Sequence, residues 1–96
     1  MILPQNRKPT HPGVMLWEEF LKPLNISQKQ LAQHLGWTTA KLSEIIHQKR
    51  GVTAESALAL ADAFLVTPEF WLNLQLVWDL WHAAQNRKPV MPVKFN

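Results

Sequence analysis

The chain has 96 residues and a mass of 11.1 kDa, enough for one small core and too little for a two-domain enzyme with a housed cofactor. Hydrophobic residues make up 47% of it, which excludes a disordered segment, and no apolar run approaches the ~18 residues that cross a bilayer. The formal charge of +3 is unevenly laid out: residues 27–51 carry +3, 52–85 carry −4 and 86–96 carry +3, a basic middle beside an acidic second half that suits one face to a polyanion.

Proline and glycine divide the chain into short apolar-periodic segments, and the spacing predicts an all-α domain of five helices. The first runs from about Pro12 to Leu21, with Leu16, Trp17, Phe20 and Leu21 inward and Pro23 preventing continuation. The second starts at Ser27, a good N-cap with Gln30 placed to complete a capping box, and stops at Gly36. Thr38 caps the third, which runs to about His47 with Leu42, Ile45 and Ile46 inward. Thr53 caps the fourth, where Ala54, Ala57, Leu58, Ala61 and Phe64 repeat at helical spacing. Thr67, Pro68 and Glu69 open the fifth and longest, which extends towards Gln85. The organisation expected is an N-terminal basic arm (1–10), a domain over 11–85 and a basic tail (86–96) that orders against a partner. Gln5-Asn6-Arg7-Lys8-Pro9 recurs as Gln85-Asn86-Arg87-Lys88-Pro89, too short for an architectural repeat.

The segment from Gln28 to His47 carries the most specific pattern. Leu31 and Leu35 are apolar, Ala32 is small where a second helix crosses, Gly36 supplies the left-handed backbone or the tight spacing that a short turn requires, and Trp37, Leu42 and Ile45 complete the buried set. This is the spacing of a helix-turn-helix, whose second helix enters the DNA major groove. Thr39, Ala40, Lys41, Ser43 and Glu44 then face base edges, Ala40 able to touch a thymine methyl and Glu44 to accept from cytosine or to repel non-cognate sequence. Gln28, Lys29, Thr38, Lys49 and Arg50 are placed for phosphates.

With these residues in place, the chain resembles the HigA/VapI-type antitoxins within the lambda-repressor-like (XRE-type) group, over about residues 10–85. The resemblance rests on Thr10-His11-Pro12-Gly13, on Glu18 to Leu24, on the helix-turn-helix, on Lys49 to Ala54 and, most distinctively, on Thr67-Pro68-Glu69-Phe70-Trp71-Leu72-Asn73-Leu74-Gln75. It implies a homodimer that represses its own operon at operator DNA and binds a HigB-like, ribosome-dependent messenger-RNA endonuclease. Two features depart from the commoner pattern: Trp37 stands where a smaller apolar residue is usual, and Trp78 and Trp81 precede a Pro-rich tail. A stand-alone repressor with no toxin is the alternative.

Helix five is apolar around most of its circumference, with only Gln75, Asp79 and His82 as a polar strip, so it is expected to serve a second interface as well as the core. Phe70, Trp71, Leu74, Trp78 and Trp81 are the residues assigned to that dimer or partner surface. The polar strip lacks lysine and arginine, which argues against membrane binding. No enzyme is expected: the four histidines show no metal-ligand spacing, Glu18 and Glu19 point about 100° apart on a helix, and no glycine-rich phosphate loop is present. Nor is any cofactor, metal or small-molecule substrate expected. With no cysteine and no apolar signal segment at the N-terminus, the cytoplasm is the expected location.

Overall fold

The computed structural model describes residues 7–94, and among these every regular element is a helix. The basic arm expected over 1–10 therefore lies largely outside the described residues, as do Gln5 and Asn6 of the repeated pentapeptide. The helices are α1 over 12–24, α2 (Gln28–Leu35), α3 (Thr39–Ile46), α4 (Ala54–Phe64) and α5 (Pro68–Ala84). All five expected helices are present, and only the first differs in extent.

α1 continues through Pro23 because its middle widens: Pro12–Leu16 is α-helical, Trp17–Leu21 is a π turn, and Lys22–Leu24 is α-helical again. Proline lacks the donor for an i−4 bond, and its ring collides with the carbonyl four residues back. In the wide turn the Lys22 amide donates instead to the Trp17 carbonyl, which opens the ladder just before the proline. Asn25 in the left-handed region (φ 56°) then ends the helix.

Each helix start is capped by a side chain. His11 Nδ1 accepts from the Gly13 amide at 2.9 Å; Ser27 Oγ accepts from Gln30, whose Oε1 takes the Ser27 amide at 2.8 Å. Thr38, Thr53 and Thr67 cap α3, α4 and α5 in the same way. Three C-terminal closures share one pattern, in which two amides bond back across a left-handed residue: Asn25, Gly36 (φ 72°) and Gln48 (φ 66°). At α2 the closing bond runs from Trp37 N to Ala32 O at 2.9 Å, with Gly36 N on Gln33 O. A large apolar residue suits the position after the left-handed glycine, where it packs back on its own helix, so Trp37 is half-buried against the core.

The core comprises Leu16 and Leu21 of α1, Leu31 and Ala32 of α2, Leu42, Ile45 and Ile46 of α3, Val52, then Ala57, Leu60 and Ala61 of α4 and Trp71 of α5. Phe20 stacks against Phe64, Phe70 and Trp71 along one side. On α4 the periodicity is as expected but rotated: Leu60 and Ser56 are buried, while Leu58 and Ala54 are exposed. Period alone leaves open which of two leucine rows meets α5, and here it is the row through Leu60.

α1 crosses α3 at unusually short range. A Cβ added to Gly13 would lie 1.8 Å from the Ile45 carbonyl oxygen and 2.9 Å from the Ile46 Cα, so only glycine permits this approach. Gln75 of α5 ties down the loop after α3: its Oε1 accepts the Val52 amide at 2.7 Å and its Nε2 donates to Asp79 at 2.8 Å. α3 is thus held between a close backbone crossing and a side-chain tether in the loop that follows it.

Candidate nucleic-acid interface

The α2-Gly36-α3 unit leaves several of its polar residues at the surface. Thr39 and Ala40 are exposed in the first turn of α3, as the sequence predicts for a leading end. Thr38 lies just before them, its Oγ1 accepting the Lys41 amide at 3.1 Å; the hydroxyl proton remains available to a phosphate oxygen. Lys29 is exposed and Gln28 half-buried at the N-terminus of α2, where the helix dipole favours anions. Lys49 and Arg50 are exposed beyond the end of α3.

Three residues expected to face base edges have intramolecular partners. The Lys41 Nζ sits 4.2 Å from the centre of the Trp37 ring, a cation–π contact that holds the ammonium over the turn. Ser43 bonds the His47 ring through its hydroxyl (3.3 Å) and its carbonyl (2.8 Å), the latter requiring the proton on Nδ1. Glu44 pairs with Arg50 at 2.8 Å, and its carbonyl accepts the Lys49 and Arg50 amides. Both side chains of that ion pair are more than 40% exposed, so its intrinsic contribution to stability is small. Its geometric effect is larger: the one carboxylate on α3 is masked by a guanidinium, which lessens its repulsion of a phosphate backbone.

Sequence reasoning did not foresee Gln48 as the left-handed closure of α3, because nothing marks a glutamine for that backbone. Nor did it assign Gln75 its tether, since a polar residue on a helix reads as a solvated one. The helix-five residues assigned to an interface separate in the structure. Trp71 is wholly buried and belongs to the core of its own chain, correcting its assignment to an outward surface. Phe70 and Leu74 are half-buried against that core. Trp78 is half-buried between His11 (ring centres 4.9 Å apart), His82 (4.4 Å) and Lys8, whose Nζ lies 5.0 Å from the ring. Trp81 is half-buried beside His82. The large apolar residues that α5 exposes are Leu76 and Leu80 instead.

His11 is buried by this packing, and loss of hydration holds its pKa below the ordinary histidine value, with Asp79 opposing and His82 adding to the shift. It caps the first turn of α1 from the interior rather than from the surface. Among the described residues no group of acidic or histidine side chains is arranged to hold a metal ion, and no helix is long and apolar enough to cross a membrane.

Two short helices joined at a left-handed glycine, with the second offered to solvent at its capped N-terminus, define a helix-turn-helix protein. The helix-turn-helix family HTH_3 matches residues 18–71. The chain is 45% identical over 82 residues to an HTH-type transcriptional regulator of Haemophilus influenzae, covering 85% of this chain and 77% of that one. It is 46% identical over 76 residues to antitoxin HigA-1 of Vibrio cholerae, covering 78% and 70%. Among solved structures, antitoxin GraA in complex with its operator superposes with a TM-score of 0.79 at 42% identity, over 88% of this chain and 86% of that one. The chain belongs to the helix-turn-helix family and, within it, to the group of the HigA-type antitoxins.

Proposed function

We propose that this protein is the DNA-binding antitoxin of a type II toxin–antitoxin module. As a cytoplasmic homodimer it represses its own operon, and by direct binding it neutralises a HigB/RelE-like messenger-RNA endonuclease. The observation that carries the DNA half is the exposed first turn of α3, Thr39 and Ala40, flanked by the cations Lys29, Lys49 and Arg50. α3 enters the major groove by this end, while the N-terminus of α2 and the loop after α3 rest on phosphates. Thr39 bonds a base edge and Ala40 meets a thymine methyl; Lys41, Ser43 and Glu44 follow along the groove, where DNA competes for the partners they hold in the free protein. Two copies are required because an operator offers half-sites about 34 Å apart. The protein works by binding alone and catalyses no reaction.

The antitoxin half rests on the likeness to named antitoxins over most of the chain. A stand-alone repressor is the second reading, favoured by the Haemophilus relative, which is named as a transcriptional regulator. The two part company on one experiment: the tagged protein is expressed from its native locus with the adjacent small reading frames. A stoichiometric neighbour that arrests growth when expressed alone is the expected result. Absence of a partner, with promoter binding retained, leaves a repressor only.

A further inference from the structure

Beside α5 lies an apolar groove of about 390 Å³ that the core does not fill. Its floor is Met15 of α1 with Phe70, Leu74 and Val77 of α5, and its rim carries Thr10 and Asn73. At the opposite end of α5, residues 86–94 leave the body as an extended segment in which Val90, Met91 and Val93 are 84%, 79% and 74% exposed. We propose that the groove of each copy receives the Val90–Val93 segment of a second copy, reciprocally about a two-fold axis. This specifies how the homodimer proposed above is built, and so rests on that reading.

Four observations converge on this occupant. The first is direction. α5 is about 26 Å long at 1.5 Å per residue, and residues 86–94 add about 30 Å when extended. The longest dimension of the molecule is 59 Å against 25 and 21 Å, close to those two lengths together, and residues 86–94 are exposed throughout rather than packed into their own groove. The second is length: Phe70 to Val77 spans about 10 Å of helix, and Val90 to Val93 spans about 10 Å of extended chain. The third is charge. α4 and α5 carry Glu55, Asp62, Glu69 and Asp79 and no lysine or arginine, with Glu69 adjoining the groove residue Phe70; the tail carries Arg87, Lys88 and Lys94. The fourth is backbone chemistry. Pro89 just before the apolar segment and Pro92 within it keep it extended before binding, and Pro92 removes an amide that an apolar groove would leave unpaired. A reciprocal exchange of this kind closes on itself and leaves no open end for further copies.

The chain has no cysteine, so paired single substitutions give an unambiguous test. The variants Asn73→Cys and Met91→Cys are each purified reduced, checked for helical circular dichroism, mixed in equal amounts and mildly oxidised. The expected product is a reducible dimer at twice 11.1 kDa that joins one variant to the other. Mixing Met91→Cys with Leu65→Cys, whose site at the end of α4 is 92% exposed, gives no such selective product. If sedimentation reports a dimer but the first mixture crosslinks no better than the second, the tail inference fails and the homodimer stands on another face, such as Leu76 and Leu80. A monomer in sedimentation overturns both. In the doubly substituted chain, closure within one copy without dimer formation also overturns the inference, placing the tail in its own groove.

Discussion

Replacing Gly13 by alanine tests the closest crossing in the molecule. The added methyl would stand 1.8 Å from the Ile45 oxygen, 2.6 Å from the Ile45 carbonyl carbon and 2.9 Å from the Ile46 Cα. All three are backbone atoms of α3, so no rotamer change relieves the contact, and the helices must separate by about 1 Å to reach 3.0 Å. Overpacking costs about 1–3 kcal/mol where side chains can yield and more where they cannot. The helix propensity gained from Gly to Ala is at most ~1 kcal/mol and smaller in a first turn. A net loss of roughly 2–3 kcal/mol follows, which in a domain of this size lowers Tm by roughly 10–20 °C. A thermal melt followed by far-UV circular dichroism measures it. Gly36→Ala is the internal comparison: no atom lies within 4 Å of its Cβ site, and only the left-handed backbone opposes the substitution, at about 1–2 kcal/mol. The Gly13 variant should therefore lose more, and should also bind operator DNA more weakly because α3 is displaced. A Tm unchanged to within ~2 °C, or a smaller loss than Gly36→Ala, would refute the proposed close crossing.

Three further outcomes are expected. Lys49→Ala combined with Arg50→Ala weakens binding to all sequences alike and flattens the log-affinity versus log-salt slope by about 2; an unchanged slope in a fluorescence titration removes both residues from the phosphate surface. For His11, the folded state resists the proton more than the unfolded chain does. Stability is therefore undiminished above the unfolded value of about 6.5 and falls as pH drops from there through the lowered folded pKa. His11→Asn keeps a capping oxygen without a titrating ring, so its urea midpoint should vary less between about pH 7 and 5 than that of the parent; equal slopes would deny His11 this role. Leu65 lies at φ 57° with a side chain 92% exposed, so it bears left-handed strain with little burial to offset it. Leu65→Asn should raise stability by about 0.5–1 kcal/mol in chemical denaturation, and a loss would show that the leucine packs against something.

Much of this architecture is legible from local chemistry. Ser27, Thr38, Thr53 and Thr67 each stand one residue before a helix because a short hydroxyl side chain satisfies a first-turn amide there, and every one does so in the structure. Gly36 is equally legible, since its φ of 72° is the conformation that a tight turn between α2 and α3 demands. What escapes is whatever depends on a distant neighbour. Gly13 has an ordinary helical position and is required only because α3 passes over it. Trp71 and Trp78 share one arc of α5, yet one is sealed against Phe20 and the other is laid open enough to meet Lys8; nothing along α5 itself distinguishes them. In the proposed DNA surface, residue types and exposures at Thr39, Ala40 and Lys29 follow from helical spacing. The pairings Lys41 on Trp37 and Arg50 on Glu44 do not, because they depend on how the flanking turns close.

The wide turn in α1 has a consequence for which leucines share a neighbour. Leu16 and Leu21 are both completely buried although five positions apart, and on an unbroken α-helix at 100° per residue they would point about 140° from one another. The π turn between them acts as one residue inserted into the winding and brings the two side chains towards a common side. Its position is tied to Pro23, which is itself exposed to solvent. A residue at the surface thereby sets the rotational phase with which α1 enters the interior.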